Sequence, residues 1–364
     1  MRYPEFLKSG GTIGFIAPSF GCAIEPYKSR FDNALKVFEK LGYKTYLGPN
    51  CYESSGVGIS NTPEKCAAEL NDAMTDDKSD VIITCGGGEL MCEVVPYIDF
   101  DRISKAEPKW YMGYSDNTNF TFLSAVLADT AAIYGPCAPA FGRTSWHSSL
   151  DDAMKLLRGE TDTVTGYDLW EKDEYPVPEG EEPDPLLSYN VTEPERFVYH
   201  LPDSGMTICE SDDGNDEGAE SVSLDMSGRL IGGCVDILTL LIGTKYDKVD
   251  DFLERYKDDG FIWFLECCDL DPLSMRRAFW SLREAGWFKY VKGFLIGRPR
   301  RFGEDIFGVN QYNAVTEILK ELEVPIIMDI DIGHLPPMMP IITGAKADVS
   351  AKGNQISIKY DFSG

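Results

Sequence analysis

The stretch WYMGYSDNTNFTFLSAVLA, residues 110–128, decides the fold. It begins as a short apolar strand, breaks at Gly113–Asn117, and resumes as an apolar helix. A strand that runs through a tight turn into a helix is the repeating unit of an α/β domain. Here the turn carries Ser115 at its tip. The flanking sequence repeats the pattern. "TIGFIAP" (12–18) is a buried strand ending in turn residues, after which Phe31, Ala34, Leu35, Phe38 and Leu41 recur at helical spacing until Gly42. Thr62 and Pro63 open another helix, with Ala67, Leu70 and Met74 on one face. "DVIITC" (80–85) is a continuous apolar run, as expected of a parallel strand covered on both faces, and "AAIYGP" (131–136) is a further strand. Residues 1–160 therefore read as an open α/β domain that receives ligands at the carboxyl ends of its strands.

Composition limits the partners. The chain has 364 residues, enough for two domains, with 43% apolar and 12% aromatic content. Its formal net charge of −26 argues against nucleic acid or an anionic membrane, since both require a positive face. No apolar run approaches the roughly 20 residues of a membrane span, and "MRYPEFLKSGG" has no signal-peptide core. The expectation is a cytoplasmic protein. The ten cysteines contain no C-x-x-C pair and several lie within apolar segments, so they read as free thiols in the core. The three histidines, His147, His200 and His334, lack ligand spacing to a cysteine pair, which argues against zinc.

From 161 to 220 the character changes. "LWEKDEYPVPEGEEPDPLL" (169–187) and "ESDDGNDEGAE" (210–220) are rich in acid, Pro and Gly and read as a linker with exposed loops. Apolar structure returns over 221–364. "GFIWFLE", "VKGFLIGRP" and "VPIIMDIDIGH" are buried strands, "SMRRAFWSLREAGW" and "QYNAVTEILKELE" are amphipathic helices, and "NQISIKYDF" closes the chain as a half-buried strand. The second domain is thus mixed α/β as well.

Four features carry chemistry. Ser115 nearly fits the G-x-S-x-G elbow, with Asn117 replacing the second glycine, and a serine between a strand and a helix N-terminus equally suits an N-cap. "CGGGE" (85–89) lets backbone approach a ligand but matches no standard phosphate loop. Glu266 ends "FIWFLE", where a carboxylate needs a partner, either an arginine or a histidine it orients. His334 follows the last buried strand in "DIGHLPPMMP". A nucleophile, an acid and a base, each at a strand end, are the components of a triad.

In chain order, "GTIGFIAPSF", "CGGGELMCEVVPYIDF", "WYMGYSDNTNF", "IYGP", "GRLIGGCVDILTLLIGTKY", "FIWFLE" and "IGHLPPMMPIITGAKA" resemble the serine LD-carboxypeptidase family, which includes the microcin C immunity peptidases. The resemblance runs from about residue 5 to the C-terminus. It implies a flavodoxin-like N-terminal domain with a parallel sheet and a C-terminal domain built around a swivelling β-structure. It further implies a metal-free, cofactor-free triad of Ser115, Glu266 and His334. The oxyanion hole it implies uses the amides of Gly88 and Asp116. Members are cytoplasmic homodimers that hydrolyse an amide at the C-terminal end of a small peptide or conjugate. The chain departs from the family at Gly86, where members often carry Arg or Ile, and at Cys234, where they often carry Asn. The long 165–220 segment is similar to that of the immunity branch, whose pocket includes an aromatic residue, and Trp170 is the candidate for that place. By position, Arg298 in "LIGRPR" is the candidate to hold a substrate carboxylate or phosphate. Two other readings remain: a small-ligand binding protein in which Ser115 only caps a helix, and a hydrolase using Cys85.

Overall fold

The computed structural model describes residues 1–55, 58–208 and 222–363. A six-stranded sheet forms the first layer. Its order is Ile341–Thr343, Ala132–Tyr134, Trp110–Gly113, Val81–Thr84, Thr12–Ile16 and Lys44–Leu47. The last five strands are parallel because helices return the chain between them. Val81–Thr84 and Trp110–Gly113 are buried at every position, which is why they read as unbroken apolar runs rather than alternating ones. The helix Tyr27–Lys40 buries Phe31, Ala34 and Phe38, leaving Leu35 only half-buried and Leu41 exposed just beyond its end. Each fully buried ring contributes about 1.5–3 kcal/mol relative to an exposed one.

The second sheet has nine strands and a parallel centre made by Ser223–Cys234, Phe261–Glu266, Val291–Gly297 and Ile326–Ile330. Antiparallel strands extend it on both sides. Two sequence expectations need correction here. The 161–220 segment is not simply a linker. Thr163–Thr165 pairs with Gln355–Asp361 at one edge, while Val198–Leu201 and Gly205–Ile208 complete the other. Leu169–Trp170 also pairs with Glu193–Pro194. These strands are only two to four residues long, and distant segments supply their hydrogen bonds, so local periodicity carries no sign of them. The acidic run at 210–220 lies outside the described residues. Nor does the C-terminal segment stay within its own domain. Ile341–Thr343 crosses back to pair antiparallel with Ala132–Tyr134 in the first sheet. The result is a mixed α/β molecule of two layered domains, stitched together by that return strand.

Candidate active site

Parallel strands deliver their carboxyl ends to one edge of a sheet, and the return strand brings the two sheets together. Ser115 follows the buried strand Trp110–Gly113 and adopts φ 63°. For a residue with a Cβ, that left-handed conformation costs roughly 1–2 kcal/mol, so neighbours must hold it. Asn117 does so from beneath. Its side-chain amide donates to the carbonyls of Gly86 (2.9 Å) and Tyr114 (3.1 Å), and its oxygen accepts from the Tyr111 hydroxyl at 2.5 Å. The Ser115 amide donates to the Tyr134 hydroxyl at 3.2 Å. Asn117, which replaces the elbow's usual glycine, therefore ties the turn to the glycine loop.

That loop lies directly against the serine. A Cβ on Gly87 would sit 2.9 Å from Ser115 Cβ, so a side chain there would displace the serine. Gly88 comes one residue later and packs towards the Ser19 hydroxyl and the Gly58 carbonyl. The Asp116 side chain is buried and accepts from the Met91 amide and the Asn119 side chain, each at 2.9 Å, and from the Ser19 hydroxyl. Burial pushes its carboxyl up, against the pull of these donors. Asp116 thus anchors the far end of the glycine loop through its side chain.

Ser115 Oγ lies 2.9 Å from His334 Nε2, and His334 Nδ1 lies 3.0 Å from Glu266 Oε2. Three residues up to 219 positions apart thus form one continuous relay. Gly333 makes the approach possible. It has φ 110°, and a Cβ there would stand 2.7 Å from Glu266 Oε2. Glu266 is fully buried at the end of its strand, and its second oxygen accepts from Tyr134 at 2.5 Å. Tyr134 therefore touches both ends of the relay. Burial alone raises the Glu266 carboxyl, but the His334 charge and hydrogen bonds from His334, Tyr134 and Cys234 reverse this and leave it lowered. Burial in turn lowers His334, while the Glu266 charge and the ring's hydrogen bonds to Cys268 and Glu266 outweigh it and push the imidazole up to about 10. Such a pair favours the charged imidazole at rest and makes the neutral ring a strong base.

The relay opens on a cleft of about 560 Å³ whose wall includes Gly86, Gly87, Tyr114 and His334. Two expected substrate contacts do not reach it. Arg298 is 1% exposed, its guanidinium paired with both oxygens of Glu195, with Asp331, and with the Asp329 carbonyl. A cation caged by two carboxylates has no open face for a ligand. Trp170 is 5% exposed and packs on Phe302 and over that same guanidinium, 5.0 Å from each. Glu171 and Lys172, the residues that follow it, line the cleft instead. Cys85 is fully buried, and burial pushes its thiol well up, so a reactive thiolate is disfavoured. Sequence reasoning missed Tyr134 and Asn117. The signal for Tyr134 was its place at a strand end beside the serine's strand; Asn117 was visible only as a broken motif.

Comparison with known proteins gives a consistent result. Two family models match the chain: the LD-carboxypeptidase N-terminal domain over residues 13–135 and the LD-carboxypeptidase C-terminal domain over 227–349. The Microcin C7 self-immunity protein MccF of Escherichia coli is 26% identical over 98% of this chain and 95% of its own length. A putative carboxypeptidase of Vibrio cholerae is 25% identical over 96% of the chain and 95% of its own length. A variant of MccF solved with adenosine monophosphate superposes with a TM-score of 0.74 at 22% identity, covering 99% of this chain and 98% of that one. Among the described residues no helix is long and apolar enough to cross a membrane. The chain belongs to the LD-carboxypeptidase family of peptidase-type hydrolases.

Proposed function

We propose that the protein is a metal-free serine carboxypeptidase that hydrolyses the C-terminal amide of a small peptide, converting a murein tetrapeptide to tripeptide and D-alanine. The observation that carries this reading is the unbroken Ser115–His334–Glu266 relay opening on a cleft. Neutral His334 takes the Ser115 proton at Nε2 as Oγ attacks the scissile carbonyl carbon. The amides of Gly88 and Asp116 receive the developing oxyanion. The same proton passes from His334 to the leaving amine as the C–N bond breaks, leaving an acyl-enzyme. Water, deprotonated by His334, then releases the acid. Glu266 holds the ring in the tautomer with its proton on Nδ1 and stabilises the imidazolium between these steps.

A second reading is hydrolysis of an aminoacyl or peptidyl nucleotide conjugate. It is favoured by the nearly full-length match to MccF, which has been solved with adenosine monophosphate, and by the tyrosines Tyr27, Tyr114 and Tyr189 on the cleft wall. Incubating wild type and Ser115→Ala with murein tetrapeptide and with an aminoacyl nucleotide conjugate, followed by mass spectrometry, separates the two. Release of D-alanine by wild type alone supports the first reading, and cleavage of the conjugate alone supports the second. If neither substrate is cleaved, a ligand-binding role replaces both.

A further inference from the structure

Among the described residues, the cleft presents two arginines that have no carboxylate at ion-pair distance. Arg30, near the start of the helix Tyr27–Lys40, and Arg143, which follows the 3₁₀ turn Ala138–Gly142, line the same cavity as His334 and the glycine loop. In a chain with 60 acidic and 34 basic residues, most buried arginines find an acid, as Arg298 and Arg229 do. Among the described residues neither Arg30 nor Arg143 forms an ion pair. Each is held instead by a backbone carbonyl: Arg30 Nε donates to Pro185 at 2.6 Å and Arg143 Nη1 to Leu187 at 2.5 Å. The Arg143 guanidinium lies 4.5 Å from the centre of the Tyr189 ring, and its Nε–H is buried without a partner. The Asn33 side chain donates to the Gly142 carbonyl at 2.7 Å, which joins the two arginine-bearing segments.

The two guanidinium groups act on each other through charge. Burial lowers Arg30, and the charge of Arg143 lowers it further, against the pull of Glu174 and two tyrosines. The acids on this wall are Glu171 and Glu174. Glu171 is already engaged by the Asn190 amide. Of the remaining cations, Arg300 is paired with Asp269 at 3.6 Å, and Lys172 is exposed. Two forked cations that repel each other, with spare N–H donors and orientations fixed by carbonyls and a ring, are preorganised for an oxyanion.

We propose that Arg30 and Arg143 form the subsite that grips an oxyanion of the substrate, a carboxylate or a phosphoryl group, while its scissile amide lies at Ser115. The assignment rests on the hydrolase reading above and names its substrate class: molecules carrying a negative group close to the cleaved bond. The Tyr189 ring and the Pro185–Leu187 carbonyls hold the guanidinium forks in place.

The test separates binding from turnover. Inorganic phosphate and glutarate are titrated calorimetrically into Ser115→Ala protein, alone and combined with Arg143→Gln or Arg30→Gln. Oxyanion affinity is expected to fall roughly 10- to 100-fold with either arginine removed. Arg143→Lys, which keeps the charge and the stem but loses the fork, is expected to recover part of the loss. Preference for glutarate assigns a carboxylate, and preference for phosphate a phosphoryl group. In enzymes with Ser115 intact, Arg143→Gln is expected to raise KM for the tetrapeptide acid and to leave KM for its C-terminal amide unchanged. Equal affinities in folded Arg143→Gln, Arg143→Lys and parent protein, or no binding of either probe, would overturn the subsite. Arginine-dependent binding in a protein that hydrolyses neither substrate would instead overturn the hydrolase reading and leave the subsite standing.

Discussion

Two clusters of ionisable groups sit at strand ends in this molecule, and they behave in opposite ways. In one, Glu266, His334 and Ser115 form a relay that ends at a cleft. In the other, Arg298 is enclosed by Glu195, Asp331 and the Asp329 carbonyl, with Asp329 itself bonded to Gln311 and Tyr312. Burial, and then the Asp331 charge, push the Glu195 carboxyl up against the pull of Arg298. That sealed cluster holds the strand end to the 161–220 segment. The relay is different because its histidine lines a cleft and is biased by a single buried carboxylate. Burial of charge is common to both, and access to a substrate is what separates them.

The comparison is broken most directly at the serine. Ser115→Ala is expected to lower kcat by about 10⁴-fold or more with little change in thermal midpoint, measured by steady-state hydrolysis alongside scanning calorimetry. Arg298→Ala should do the reverse. It strands two buried acids and is expected to cost about 3–5 kcal/mol in denaturant unfolding, while the folded fraction retains its turnover. Comparable loss of turnover per folded molecule in Arg298→Ala would place that cluster within the catalytic machinery.

pH sharpens the contrast. His334 is raised from an ordinary value of 6.5 to about 10, so its pair with Glu266 stabilises the fold fully below about 6.5. That stabilisation is lost as pH climbs through about 10, the same interval in which the neutral base accumulates. Thus kcat/KM is expected to rise across this range as the thermal midpoint falls, and Glu266→Gln should move the rising limb towards neutral pH. A flat profile between pH 7 and 9 would contradict the assignment of His334 as base. The smallest effect is expected at Tyr134. Tyr134→Phe removes the acceptor of the Ser115 amide and one donor to Glu266, and should reduce kcat about tenfold with KM unchanged. A change in KM alone would make Tyr134 a substrate contact instead of a positioning residue.

Much of the site was legible as separate fragments. Ser115, Glu266 and His334 each follow an apolar run, so each could be assigned to a strand end, where α/β sheets present their chemistry. Their meeting was not legible, because it depends on a return strand at 341–343 that no local pattern announces. Arg298 and Trp170 show the limit of reasoning by position. Both lie near a strand end or in the segment expected to contribute to the pocket, yet they pack on each other inside the protein. Arg30 and Arg143 show the converse. Neither has a motif, and they become a pair only when the turn after Ala132–Tyr134 reaches the first helix.

By itself, the amino-acid sequence determined that this is a two-domain α/β protein with a serine, a glutamate and a histidine at strand ends. Apolar period and turn chemistry are local properties, written within a dozen residues at a time. Only the tertiary structure decided which charges face solvent, which are caged, and which residues share a cleft. Those outcomes depend on contacts between segments a hundred or more residues apart, where burial and the nearest opposite charge set the behaviour of each group.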